Sequence, residues 1–221
     1  MVWILDESRV ITVPDWVTDI ESFRRWTERP DCPHEYRLGW LKGRVWIDVS
    51  KEQIFTHLAV KAEYYLRLLQ LVKEGRLGLF LPGGLLLSNF AADVSGNPDG
   101  TFLSEETLRS GRVRLLEGAK GGYTEVQGSP DMVLEVVSAS SVEKDYRLLR
   151  QAYWEAGVRE YWLVDARKDP PRFDILRHTP RGYVAGRKPG GWVKSAVFGK
   201  SFQLTRRRND LGHPEFTLLV R

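Results

Sequence analysis

Cysteine is nearly absent from this chain. Cys32 is the only one among 221 residues, which excludes an intramolecular disulfide and a cysteine-based zinc site. Set between Asp31 and Pro33, it reads as incidental rather than as a nucleophile. Long apolar runs are missing as well. No stretch approaches the ~20 apolar residues of a membrane span, and the N-terminus lacks the basic start and long apolar run of a secretory signal. The expectation is a cytoplasmic protein with no membrane partner. Neither an internal repeat nor a low-complexity tract interrupts the sequence.

What is present supports a folded core. Hydrophobic residues make up 42% of the chain, with eight Trp, eight Tyr and nine Phe, which excludes a disordered polymer. The length suits one large domain, or one domain with an N-terminal extension. A formal net charge of +4 and a pI of about 9.2 are compatible with a polyanionic partner but do not establish one. The run Arg206-Arg207-Arg208 reads as a solvated surface segment.

The most informative stretch is Pro130-Asp131-Met132-Val133-Leu134-Glu135-Val136-Val137-Ser138. Side chains alternate across a strand, so Met132, Leu134 and Val136 line one face, and Asp131, Val133, Glu135 and Val137 line the other. Both faces are largely apolar, the mark of an interior strand. An ionised Glu135 between two valines costs several kcal/mol unless a cation meets it. A metal ion is one candidate and a lysine or arginine the other. Asp131 shares the face but lies roughly 13 Å away at ~3.3 Å per residue, too far to grip the same ion. Glu135 therefore needs a partner from another element, and Asp99 of the upstream Pro98-Asp99 pair is the best candidate. Two carboxylates, a backbone carbonyl and waters make an oxygen-only site of the kind Mg²⁺ or Mn²⁺ prefers. Such an ion can polarise a phosphodiester and generate hydroxide.

The surrounding pattern is α/β. Asp19 can cap a short helix holding Phe23 and Trp26, and Val45–Val49 reads as a strand. The spacing of Ile54, Leu58, Ala62, Tyr65, Leu69 and Val72 predicts a helix over 51–73, ended by Gly75. Residues 79–87 read as a bent strand or hairpin around Pro82-Gly83-Gly84. A short helix is expected over 104–109. Ser140 and Glu143 form a capping-box pattern ahead of a helix with Val142, Tyr146, Leu149 and Tyr153 on one stripe, ending at Gly157. With a strand at 160–164, this is a right-handed crossover between parallel strands. Phe173–Leu176 and Tyr183-Val184 suggest an antiparallel pair after it.

The run Pro130-Asp131-x-Val133-x-Glu135-Val136-x-Ser138, then Lys144-Asp145, then Tyr153-x-x-Ala156-Gly157-Val158-x-Glu160-Tyr161-Trp162-x-Val164-Asp165, resembles the Uma2 family of restriction-endonuclease-like proteins in the PD-(D/E)xK nuclease superfamily. Pro98-Asp99, the helix carrying His57, Gly43 before a strand, and Ser195-x-Val197-Phe198-Gly199-x-x-Phe202 also resemble it, over about residues 20–205. The resemblance implies a restriction-endonuclease-like core: a central mixed β-sheet, four strands in its core, flanked by α-helices. It implies that Asp99 supplies the first metal carboxylate and Glu135 the second. The superfamily's lysine falls two residues after that acid, where this chain has Val137. Relatives carry a lysine four residues after the aspartate that matches Asp145, where this chain has Leu149. The acidic residue many relatives show after the early glycine is Arg44 here. Lys144 or Arg150, on the same helix, are the candidates to substitute. Lys144 falls in the first helical turn, where the dipole disfavours a cation.

The expected division is an N-terminal extension (1–35), a restriction-endonuclease-like domain (36–205) and a basic C-terminal tail (206–221). The expected activity is a metal-dependent endodeoxyribonuclease. Asp99 and Glu135 hold Mg²⁺ (or Mn²⁺), and Lys144 or Arg150 positions the attacking water or stabilises the developing charge. Asp131, Arg150 and His57 are secondary candidates. Basic side chains would grip DNA phosphates with little sequence readout, and a homodimer is implied because cutting both strands needs two sites. The alternative is a catalytically degenerate nucleic-acid-binding or interaction module of the same fold, favoured by Val137 and Leu149. A hydrolase of another phosphate ester is a third idea. Plain structural readings stand beside these: a buried arginine neutralising Glu135, a turn at Asp99, a strand cap at Asp131, a core or surface histidine at 57, and a turn or cap at Asp165.

Overall fold

The strand expected around Glu135 forms over Met132–Val136, and all five residues are buried. It pairs antiparallel with Gly100–Ser104 and parallel with Glu160–Asp165. Gly78–Pro82 flanks one side, and Arg172–Thr179 followed by Gly182–Ala185 flank the other. The result is a mixed sheet of six strands, with the anticipated crossover as its parallel pair. The computed structural model describes residues 2–6, 9–118 and 121–221. Met1, Glu7 and Ser8 of the expected N-terminal extension lie outside the described residues.

Helices α2 (Val60–Gly75) and α4 (Leu149–Glu155) cover the two faces of this sheet, α3 (Glu105–Arg109) follows the strand Gly100–Ser104, and α1 (Ile20–Thr27) packs elsewhere. Met132, Leu134 and Val136 pack against Val60, Tyr64 and Leu68 of α2 and against Phe202 and Leu218. Val133 and Val137 face the other way, against Leu149, Ala152 and Tyr153 of α4. The alternation read from the sequence thus holds, with two cores back to back. A second six-stranded sheet runs in the order Val45–Asp48, Arg37–Leu41, Val94–Gly96, Leu86–Asn89, Tyr123–Gly128, Val113–Glu117.

Several elements differ from expectation. Gly78–Pro82 and Leu86–Asn89 belong to different sheets, so the Gly83-Gly84 turn carries the chain between layers and is not a hairpin. The long helix opens with a π-helical segment, Ile54–Ala59, before α2. The wide π turn rotates the buried stripe to Val60, Tyr64, Leu68 and Val72, leaving Ile54 65% and Leu58 43% exposed. The helix ends at Gly75, and the cap residue after it, Arg76, takes the left-handed conformation (φ 48°). A second π-helical segment, Lys144–Leu148, precedes α4. The Ser140 capping box does not form, because the Ser140 hydroxyl donates to Asp48 across the chain.

Residues 13–32 and 202–218 contribute to the cores. Asp19 caps α1 through the Ser22 amide. Val17, Phe23, Trp26 and Cys32 share a core with Leu38 and Trp40 of the second sheet. Burial, with Asp31 and Glu35 adding to it, pushes the Cys32 thiol up to about 12, which suits a core residue and not a nucleophile. Residues 206–221, expected as a tail, continue the hairpin Ser201–Arg208 and Pro214–Val220, where Arg207 pairs with Glu215. No helix among the described residues is long and apolar enough to cross a membrane.

Gly100 shows how closely the central strands approach. A Cβ there would lie 3.1 Å from the Phe80 ring and 3.4 Å from the Leu134 Cβ. The Asp99-Gly100 pair is therefore a strand entry that needs a residue without a side chain. Gly100→Ala is predicted to destabilise the protein by about 1–3 kcal/mol, read as a lower urea midpoint at unchanged slope. An unchanged midpoint would contradict this packing.

Candidate active site

The antiparallel register pairs Leu134 with Gly100, so continuing it by one residue brings Asp99 opposite Glu135. Opposed residues in such a pair have their Cβ atoms ~4.5–5.5 Å apart. Asp99 is 6% exposed and Glu135 4%. The Asp99 carboxylate accepts a 2.8 Å hydrogen bond from the Val136 amide, and its carbonyl accepts one of 2.7 Å from the Tyr65 hydroxyl. These contacts fix it at the mouth of the central strands. The sequence-predicted pair is thus brought together by backbone register.

The second π-helical segment supplies the cation. Lys144 Nζ lies 4.0 Å from Glu135 Oε2 and 2.7 Å from Asp145 Oδ1. The Ser141 hydroxyl donates to the Asp145 carboxylate, and the Tyr161 hydroxyl donates to its carbonyl at 2.9 Å. On the far side of Glu135, the buried Tyr153 hydroxyl donates to Oε1 at 2.9 Å. Burial pushes the Glu135 carboxyl up to about 8; Asp145 and Asp99 add to this, while Lys144 and Tyr153 oppose it. Burial likewise raises Asp145 against the opposing pull of Lys144 and Ser141. Burial alone would lower Lys144, but Glu135 and Asp145 outweigh it and hold the ammonium well above its ordinary value.

A second group of charges meets Asp99 from the first π-helical segment and the start of α2. His57 is 2% exposed. Its Nε2 lies 3.8 Å from Asp99 Oδ2, and its Nδ1 lies 3.4 Å from Glu52 Oε2. Lys61 Nζ is 3.5 Å from Asp99 Oδ1 and 2.7 Å from Glu52, and Arg37 reaches both carboxylates. Burial pulls both His57 and Lys61 below their ordinary values, against the raising effect of Asp99. Sequence reading missed Arg37, Glu52, Lys61 and Tyr153. The available signal was His57 and Lys61 four apart on the face that also carries Val60 and Tyr64, an ionisable end to an otherwise apolar stripe.

Other candidates lie elsewhere. Asp131 is buried at the opposite end of the strand. It accepts from the Ser104 amide and faces Arg159 at 3.0 Å and Arg112 at 3.7 Å. The Arg150 guanidinium donates to the Tyr183 carbonyl on the outer side of α4. Asp165 is held by Arg167 and Tyr146. Val137, where the superfamily places lysine, is fully buried in the apolar cluster beside Leu149.

Asp99, Glu135, Lys144, Asp145 and His57 all line one chamber of about 60 Å³ between the two sheets. Among the described residues, no three His, Cys, Asp or Glu side chains form a ready metal cluster. The donor set nonetheless fits a hard divalent cation. Three carboxylates, Asp99, Glu135 and Asp145, line the chamber beside Lys144, whose ammonium lies 2.7 Å from Asp145 Oδ1 and 4.0 Å from Glu135 Oε2. Asp99 and Glu135 would hold the ion, since Mg²⁺ is usually bound through one or two carboxylates and keeps several waters.

The Uma2 family model, described as "Putative restriction endonuclease", matches residues 20–205, and the chain belongs to that family. Among solved structures, a "putative nuclease belonging to DUF820" from Anabaena variabilis ATCC 29413 is similar in fold, with a TM-score of 0.62 at 16% identity over 83% of this chain and 91% of that chain. No curated protein matches the chain.

The raised Glu135 carboxyl has a stability consequence. Its ordinary value is 4.5 and its folded value about 8. Between them the folded state keeps a proton that the unfolded state has lost, so stability falls as pH rises through that window. In EDTA, Glu135→Gln is predicted to melt higher than the parent at pH 8.5, by about 2–4 °C for each kcal/mol recovered. The gap should close as pH falls toward 4.5. A gap constant with pH would contradict a buried, raised carboxyl.

Proposed function

We propose that this protein is a metal-dependent endodeoxyribonuclease that hydrolyses DNA phosphodiester bonds. The observation that carries the reading is the convergence of Asp99, Glu135 and Lys144 on one chamber. Asp99 and Glu135 would hold Mg²⁺ or Mn²⁺, which would polarise the phosphodiester and acidify water there. Lys144 stands in for the lysine missing at Val137. It approaches Glu135 from the helix that follows the strand, so its ammonium can meet a phosphate oxygen and stabilise charge developing there. Asp145, Ser141 and Tyr161 orient Lys144 and keep it charged, and Tyr153 fixes the Glu135 rotamer. The shared geometry excludes bulk water from both carboxylates, which strengthens each electrostatic contact. One site cuts one strand; a homodimer would supply two.

A second reading, a degenerate nucleic-acid-binding module, is favoured by one observation. Lys144 lies closer to Asp145, at 2.7 Å, than to Glu135, at 4.0 Å, as in a structural pair.

Supercoiled plasmid separates the two. With Mg²⁺ or Mn²⁺ the parent is predicted to nick it, and EDTA to stop it. Glu135→Gln and Asp99→Asn should lose at least about 100-fold, and Lys144→Met about 100–1,000-fold, the range for removing one preorganised charge or donor. Absence of cleavage by folded parent protein, with DNA binding indifferent to Mg²⁺, would favour the binding module.

A further inference from the structure

Two clefts open from the chamber that holds Asp99 and Glu135. The first, about 550 Å³, shares Arg37 and Asp99 with the chamber. Its cations already face carboxylates: Arg24 grips Glu125 through two bonds of 2.6 and 2.5 Å, and Lys61 and Arg37 meet Glu52. The second, about 800 Å³, shares Leu41 and Trp46 with the chamber and runs along the outer side of α4 to the Gly182 turn. Five cationic side chains line it, Lys42, Arg44, Arg147, Arg150 and Arg181, and among the described residues no carboxylate does. Lys42 and Arg147 reach Glu155 and Glu143 at its edges. Arg44 and Arg181 are exposed, and neither guanidinium has a carboxylate partner among the described residues.

Aromatic rings line the groove together with these charges. Trp46, Tyr146 and Trp154 line the same groove. Arg172 and Lys168 already lie over the Tyr146 ring, at 5.1 and 5.7 Å. One face of Trp154 is taken by His178, whereas half-buried Trp46 stands where groove and chamber meet. Cations along a path with rings between them suit an unpaired strand, whose phosphates take the charges and whose bases stack on the rings. The chamber holds about 60 Å³, roughly two waters of liquid volume, so a strand must present its phosphates one at a time.

We infer that this groove binds single-stranded DNA and leads one phosphate past Trp46 to Asp99 and Glu135. The nuclease reading supplies what happens at the end of that path; binding in the groove does not require cleavage.

Glu135→Gln protein in EDTA separates binding from cleavage. Fluorescence anisotropy with one labelled short oligodeoxynucleotide, alone and annealed to its complement, reads the affinity. The single strand is expected to bind about 10-fold or more tighter than the duplex. Combined Arg44→Glu and Arg181→Glu changes should weaken it by more than about 10-fold and reduce the salt slope by about 1.4, at roughly 0.7 for each phosphate no longer neutralised. Trp46→Leu should weaken it by about 10-fold. Lys73→Glu, on α2 across the sheet, should leave it unchanged, with melting temperatures confirming that all variants fold. Duplex bound as tightly as single strand, parent-like binding by the Arg44/Arg181 variant, or no binding at all would overturn the inference. Groove binding without any plasmid cleavage would overturn the nuclease reading alone. Cleavage indifferent to Arg44, Arg181 and Trp46 would overturn this inference alone.

Discussion

Glu135 sits on an interior strand with valines on either side, 4% exposed. Withdrawing its charge from water costs several kcal/mol, and the neighbouring architecture is arranged around that cost. Tyr153 donates from α4, Lys144 approaches from the π-helical segment before it, and Asp99 enters from the adjacent strand. The approach of Asp99 raises the cost instead of lowering it, because it brings a second negative charge. Burial raises Glu135 and Asp145, and Asp99 adds to both; a divalent ion would relieve that crowding.

Two π-helical segments frame the chamber, and each delivers ionisable side chains to it. Ile54–Ala59 carries His57, and Lys144–Leu148 carries Lys144 and Asp145. A π turn inserts extra backbone into a helix and turns the following face, and such turns are frequent at functional sites. Here the rotation buries His57 and Asp145 at helix starts whose later turns are ordinary apolar stripes. It also places Lys144 near Glu135 while Leu149 packs into the core, so the charge at Lys144 and the apolar residue at Leu149 belong to one arrangement.

Much of this was legible from residue patterns, for identifiable reasons. The Met132–Val136 strand, its two faces, the crossover to Glu160–Asp165 and the antiparallel pair after it follow period-two alternation and short connections, which are local signals. Asp99 was approachable because Asn97-Pro98-Asp99-Gly100 is a compact motif, although a turn and a strand entry look alike without the Phe80 and Leu134 contacts. Helix stripes were misplaced because a uniform 3.6-residue period cannot register a π turn. Glu52 and Arg37 were invisible because they reach the site only as the two sheets close on one another, which no local pattern encodes, and Lys61 was marked only by its spacing from His57. Arg206–Arg208 read as a free basic run because its pairing with Pro214–Val220 across a turn leaves no mark in the run itself.

On the proposed function, Asp99 and Glu135 share one divalent cation. Anomalous diffraction from crystals soaked in Mn²⁺ tests it most directly. The expected result is a single strong peak in coordination range of both carboxylates. A peak bound elsewhere, or none at saturating Mn²⁺ above pH 8, would contradict it.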